Sequence, residues 1–412
     1  MIVARAWRWA LLALAFSAPD FQAQAQSPAQ AQANDAADVA EALRPGVVAY
    51  RSGDLASAEA RFRSLVGTGN HDAAAWLGVV LIDRGAAKEG FLWLQRAADG
   101  GSAEGDHRLA IAFAEGIGTT RDDQRAVELF EKAAEAGHKR AQLNLGTLYF
   151  RGQGRPRDLV QARAWLEKAA SDGNPYALYA LGRAMAEGEG PVLADPVRAA
   201  DLFRRAGEKG HPHAMLRYAL ALNEAYGVRR DQQEAQRLLL HLYAQGHPEA
   251  ALALGDMAAR TPTSRDKAAN ELAVRTAVKW FEAAARAGVA SAQFKLANAY
   301  FSGVGIERDP AQAQFWYGRA SQQGLAEAQH AYGVWLMGGI AGQQEPVEGL
   351  KWLTLAERAG FPDSKAVRAK ALETISAADR QRAEALAARF TVTLERPARD
   401  GAPPLIAAPA RQ

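Results

Sequence analysis

The chain has no cysteine among its 412 residues. That excludes disulfides, thiol catalysis, cysteinyl zinc sites and the lipidated cysteine of a lipoprotein. No apolar run is long enough to cross a bilayer, so no transmembrane anchor is expected; the run from Trp9 to Phe16 is about half of what a span requires. Charge of neither sign dominates: 49 Lys and Arg face 46 Asp and Glu, for a net +3 with no basic block. Nucleic acid is therefore not an expected partner. The sequence also lacks a His-Glu-x-x-His zinc motif and a Gly-x-Ser-x-Gly nucleophile elbow. What it has is 49% hydrophobic and 23% charged residues, rich in Ala and Gly and modest in β-branched types. This balance favours folded helices over strands or disorder.

The first 25 residues read as an export signal. Arg5 and Arg8 precede the apolar run, and Ala23-Gln-Ala25 supplies the small residues of a cleavage site. Cleavage after Ala25 is expected, with a periplasmic or secreted destination.

Self-similarity organises the rest. Ala141 to Tyr149 runs into Gly152-Gln-Gly154, Asp158, the segment Ala162 to Ala170, and Gly173. Ala292 to Tyr300 runs into Gly303-Val-Gly305, Asp309, Trp316, Ala320 and Gly324 at the same offsets. Aligned on Trp165, the register is Trp93, Leu129, Trp165, Leu202, Leu238, Trp280, Trp316 and Trp352, and a glycine lies eight residues after each. The partner anchors, Leu77, Leu109, Leu145, Leu181, Tyr218, Leu254, Leu296 and Tyr332, usually stand twenty residues earlier.

Each unit reads as a helical hairpin. Ala141, Leu145, Gly146 and Tyr149 share one helix face, and Ala162, Trp165 and Ala169 form a facing stripe. Asp122, Asp158, Asp195, Asp231 and Asp309 stand where the second helix needs an N-cap, with Pro196 and Pro310 just inside it. The recurrent glycine ends the second helix at C′. His138, His211 and His247 follow that glycine and are expected to approach the last helix carbonyls.

The pattern A-x-x-x-L-G-x-x-Y, G-x-G, D, A-x-x-W-x-x-K-A-A, G resembles the Sel-one-like repeat family, a relative of the tetratricopeptide repeat. The resemblance implies an all-α fold, an α/α superhelical solenoid of helix-turn-helix repeats that binds proteins. In exported bacterial members it implies roles in envelope signalling, polysaccharide secretion or host contact. The expected layout is a signal peptide at 1–25, disorder at 26–36, a tetratricopeptide-like capping hairpin at 37–69 and eight repeats at 70–363. Capping helices follow at 364–391, then a disordered tail at 392–412. The first repeat is four residues short in its loop, and the sixth carries six extra residues around Arg260 to Arg265, read as a protruding loop. Ser376-Ala-Ala-Asp379 reads as a capping box.

No catalytic residue, metal site or cofactor is expected. The Gly-x-Gly pairs recur at the repeat period and lack the context of a phosphate loop. His211-Pro-His213, the one close histidine pair in sequence, offers too few ligands for zinc. The function expected is an exported scaffold or regulator that holds an envelope or secreted protein partner in a concave groove. A cell-wall enzyme, either a peptidoglycan hydrolase or a penicillin-binding activity, and a structural part of a polysaccharide-secretion machine are the alternatives. By analogy with tetratricopeptide relatives, in which first helices line the concave surface, the partner-binding stripe comprises Arg140, Phe150, Arg151, Tyr176, Tyr179, Arg183, Asn223, Phe294, Asn298 and Phe301. Aromatics and arginines carry most interface energy. The competing reading for the three phenylalanines is packing between neighbouring repeats.

Overall fold

A computed structural model describes residues 41–188, 193–260, 266–340 and 342–395. The signal peptide, the segment 26–36 and most of the tail lie outside the described residues. Among the described residues there are twenty helices and no strand. They fall into two compact units divided between Asp195 and Pro196, inside the fourth repeat.

The first unit holds α1 (Arg44–Arg51), α2 (Leu55–Val66), α3 (His71–Asp83), α4 (Ala87–Asp99), α5 (Ala103–Glu115), α6 (Asp123–Glu135), α7 (Lys139–Arg151), α8 (Leu159–Ala170) and α9 (Pro175–Ala186). The second holds α10 (Pro196–Glu208), α11 (Pro212–Glu224), α12 (Gln232–Ala244), α13 (Glu249–Ala259), α14 (Lys267–Arg286) and α15 (Ala290–Ser302). It continues through α16 (Pro310–Gln322), α17 (Ala326–Gly338), α18 (Pro346–Arg358), α19 (Ser364–Thr374) and α20 (Ala377–Ala388). Within each unit successive helices pack on one another as far as α18, on which α19 and α20 both pack, and first helices also touch the next first helix, as α3 does α5 and α7 does α9. This nearest-neighbour packing is that of an α/α solenoid.

The punctuation works as its chemistry dictates. Asp122, Asp158, Asp231 and Asp309 accept backbone N–H groups in the first turns of α6, α8, α12 and α16. Each also returns its own N–H to the preceding helix, as Asp158 does to the Tyr149 carbonyl at 2.9 Å. Asp195 makes the equivalent backbone bond to Met185 at 2.7 Å. The eight recurrent glycines, Gly173 at φ +77° among them, are all left-handed, where a side chain would be strained. The Ser376 hydroxyl takes the Asp379 N–H, as the N-cap half of a capping box does, and donates to the Asp379 carboxylate.

Three expectations change. First, the tryptophan register is buried in only half of the repeats, at Leu202, Trp280, Trp316 and Trp352, while the residue after it is buried in all eight. Leu94, Phe130, Leu166, Phe203, Leu239, Phe281, Tyr317 and Leu353 are all buried, whereas Trp93, Leu129, Trp165 and Leu238 are only half-buried. Leu166 sits over Gly146, where an added Cβ would come within 2.7 Å of its Cγ. Gly78 with Leu94, Gly255 with Phe281 and Gly333 with Leu353 repeat the arrangement. Second, residues 261–265, read as a protruding loop, lie outside the described residues, and the helix that follows them is unusually long. α14 has 20 residues against the usual 12 or 13, because Asp266 caps it early. Third, His138 and His211 face forward: each Nδ1 accepts an N–H of the following helix, from Ala141 and Ala214, both at 3.2 Å. Directly after the C′ glycine, the histidine occupies the N-cap position that Asn70, Ser102 and Asn174 hold elsewhere.

Candidate functional site

The stripe residues divide between the two units. In the first, Phe150 closes the last turn of α7 and is buried, with the guanidinium carbons of Arg157 and Arg183 at 5.4 and 5.2 Å from its ring centroid. Cations stacked on the ring draw on its quadrupole. Arg140, Arg151, Tyr176 and Tyr179 are half-buried, and burial lowers the Arg140 pKa from its ordinary value. The first-unit stripe is therefore partly committed to packing, with Phe150 brought against Arg183.

In the second unit, Asn223 is the positional counterpart of Phe150 on α11 and is buried. Phe294, Asn298 and Phe301 follow one another along one face of α15 at spacings of four and three. Phe294 is half-buried, Asn298 is exposed and Phe301 is 40% exposed. Two buried residues that the stripe omitted lie beneath this face. Tyr317 of α16 donates its hydroxyl to Asn298 Oδ1, and its ring lies 5.9 Å from Phe294. Trp335 of α17 meets Phe301 edge-on at 5.2 Å and Tyr317 at 5.6 Å, with its indole N–H buried and unpartnered. Burial pushes the Tyr317 phenol up to about 12, so it remains a neutral donor at physiological pH. What solvent meets here is the Phe301 ring and the Asn298 amide, an apolar contact beside a polar one. The signal for Trp335 was available, since it stands three residues after the Tyr332 anchor, on the next first helix.

A second grouping escaped the sequence reading because its members come from neighbouring repeats. Glu104 and His107 of α5 and His138 at the start of α7 have ligand atoms within 4.8 Å of one another, the one such trio of His, Asp or Glu among the described residues. The rings of His107 and His138 stack at 4.5 Å. Burial alone would raise the Glu104 carboxyl, but Arg108 at 2.6 Å and the hydrogen bond from His138 hold it well below the usual carboxylate range. Burial also drives the His107 imidazole well below its ordinary value, so it is neutral. The donor set fits a divalent ion poorly. His138 Nδ1 already accepts the Ala141 N–H, so Nε2 must carry the proton donated to Glu104 at 2.8 Å. A metal there would need that lone pair and would cost the α7 cap, beside the Arg108 charge. The trio is a packing network joining α5 to α7.

Known proteins give the same reading of the scaffold. Residues 71–102, 103–138, 139–174, 175–211, 212–247, 273–289, 290–325 and 326–361 each match the Sel1 repeat. No curated protein matches the chain. Among solved structures, a Sel1 repeat protein from Oxalobacter formigenes is 27% identical over 82% of this chain and 94% of its own, with a TM-score of 0.54. A protective antigen of uropathogenic Escherichia coli displaying the same fold is 24% identical over 85% of this chain and 91% of its own, with a TM-score of 0.44. With eight repeats in the register that its glycines and aspartates mark, the chain belongs to the Sel1 repeat family, whose members generally mediate protein–protein interaction.

Proposed function

We propose that this chain is an exported, non-enzymatic scaffold or regulator that captures a partner protein of the envelope or a secreted partner on the faces of its first helices. The observation that carries the reading is the exposed pair Asn298 and Phe301: a solvent-reaching aromatic beside an amide, held from beneath by the buried rings of Tyr317 and Trp335. Such a combination supplies apolar contact area with directional polar anchors. In the first unit, the half-buried arginines and tyrosines of α7 and α9 hold the corresponding repeat positions. Arg5, Arg8 and the Ala23-Gln-Ala25 site motivate export.

The test uses Phe301→Ala and Asn298→Ala in the full chain, followed by affinity capture of the partner from the native host. Loss of capture with unchanged helical circular dichroism supports the surface, and full retention overturns it. Turnover of labelled peptidoglycan, or covalent labelling by a fluorescent penicillin, would replace the scaffold reading with an enzymatic one. N-terminal sequencing of the mature protein is expected to start at Gln26, and recovery of intact Met1 from the cytosol would refute export.

A further inference from the structure

After α20 the chain turns back along its own repeats. The Phe390 ring packs on Trp352 of α18 at 5.3 Å, and Thr393 then donates its N–H to the Gln322 carbonyl at the end of α16, 2.9 Å away. Residues 391–395, of which 392–395 were expected in a disordered tail, lie without helix or strand across the C-terminal turns of α16 and α14. A Cβ on Gly324 would meet Val392 at 3.1 Å, and one on Gly288 would meet Glu395 at 3.0 Å. Three extended residues thus carry the strap from one hairpin to the next. That step of roughly 10 Å matches the spacing of neighbouring helices.

Glu395 holds the strap down. Its carboxylate takes two hydrogen bonds from Arg319, one of them at 2.8 Å, and a third from Gln293 Nε2 at 2.9 Å. Gln293 is fully buried, and its carbonyl oxygen accepts from Gln323 Nε2 at 2.8 Å, which also reaches the Gly288 carbonyl at 3.0 Å. The other strap side chains contribute little: Val392 and Leu394 are 54% and 52% exposed. The receptor is built into the repeats, whereas its occupant is a short segment held by one carboxylate and the backbone N–H groups of Thr393 and Glu395.

We infer that the Arg319, Gln293 and Gln323 surface is a second docking site, which takes an extended, glutamate-bearing segment of a partner protein and is closed at rest by residues 391–395. The segment lies one chain direction across the hairpin ends, presents a backbone N–H to Gln322 and places a carboxylate on Arg319. This site is separate from the first-helix face proposed above and does not rest on it. The tether gives the native strap an effective concentration near the millimolar range, so a free competitor binds only weakly until the strap is released.

The test is peptide binding to the full chain, read by fluorescence anisotropy with a labelled, end-blocked peptide of the 390–395 sequence. Glu395→Ala frees the strap and is expected to bind this probe about tenfold or more tightly than the native chain does. Adding Arg319→Gln, or replacing the peptide glutamate by glutamine, should abolish the gain. Equal affinity for native and Glu395→Ala chains, or binding that survives either change, overturns the proposal. The absence of cysteine allows an independent readout, a single nitroxide at Val392→Cys. Its spectrum should gain a fast component in Glu395→Ala, and an unchanged spectrum counts against a releasable strap. Dimerisation of the native chain through exchanged straps, lost in Glu395→Ala, would assign the site to a second copy and contradict the partner reading.

Discussion

The packing of Leu166 into the Gly146 notch gives the sharpest stability prediction. Leu166 is 1% exposed, and the Cβ of an alanine at 146 would sit 2.7 Å from its Cγ and 3.1 Å from the Ala162 carbonyl. Leu166→Ala removes a fully buried isobutyl group into a site that helix backbones keep from collapsing, at a cost of about 3 to 4 kcal/mol. Gly146→Ala overpacks the same contact and costs roughly 1 to 3 kcal/mol. The double variant should recover about 1 kcal/mol of the summed cost, because truncating Leu166 vacates the space that the new methyl needs. Recovery stays partial, since the Ala162 carbonyl does not move away. Trp165→Ala should cost less than Leu166→Ala, because the indole is half-buried and covered on one face only by Lys168, 3.9 Å from its centroid. Urea unfolding of the four variants, followed by circular dichroism, measures all of this. Strict additivity, or a larger loss for Trp165→Ala, would refute the packing argument.

Ala225 is the one non-glycine with positive φ among the described residues, at +58°, in the place that Gly152 and Gly303 fill in other repeats. Ala225→Gly should therefore raise stability by about 1 kcal/mol in thermal melts, against the usual sign for such a change. Burial, with His213 adding to it, holds the His211 imidazole down to about 3 from an ordinary 6.5. The unfolded chain binds that proton first, so the contribution is complete above about pH 6.5 and is lost as pH falls toward 3; about 2 kcal/mol should be gone near pH 5. His211→Asn keeps an N-cap, as Asn174 does at the equivalent place, and should flatten that part of the pH profile. Asp158→Ala should cost about 1 kcal/mol in the same melts, since its carboxylate caps both Val160 and Gln161.

The periodicity made the hairpins, caps and turns legible because aspartate and glycine act locally, through hydrogen bonds and φ angles set within a few residues. Depth of burial was less legible. On α8 the stripe through Ala162, Leu166 and Ala169 faces the partner helix, and Trp165 lies on its margin. Whether a marginal tryptophan is covered depends on neighbours that the repeat pattern does not fix. Trp280 is closed by Tyr243 and Trp352 by Tyr332 and Phe390, whereas Arg96 and Lys168 lie over Trp93 and Trp165. The same limit applied to the stripe: Phe150 and Asn223 turned inward, while Phe301 stayed at the surface. The position of Trp335 beside its anchor was legible, but its seating against Phe301, like the trio of Glu104, His107 and His138, needed contacts between successive first helices, which no single repeat contains. The strap needed a contact from Glu395 to Gln293, 102 residues apart, which no local pattern encodes.

The central claim is that a protein partner sits on the first-helix face, and site-specific photo-crosslinking in intact cells tests it most directly. A photoreactive residue at Phe301 or Asn298 should give one adduct with the same partner protein. The same residue at Gln236 or Gln312, exposed on second helices, should give none. Adducts from the second-helix positions with nothing at 298 and 301 would contradict the account.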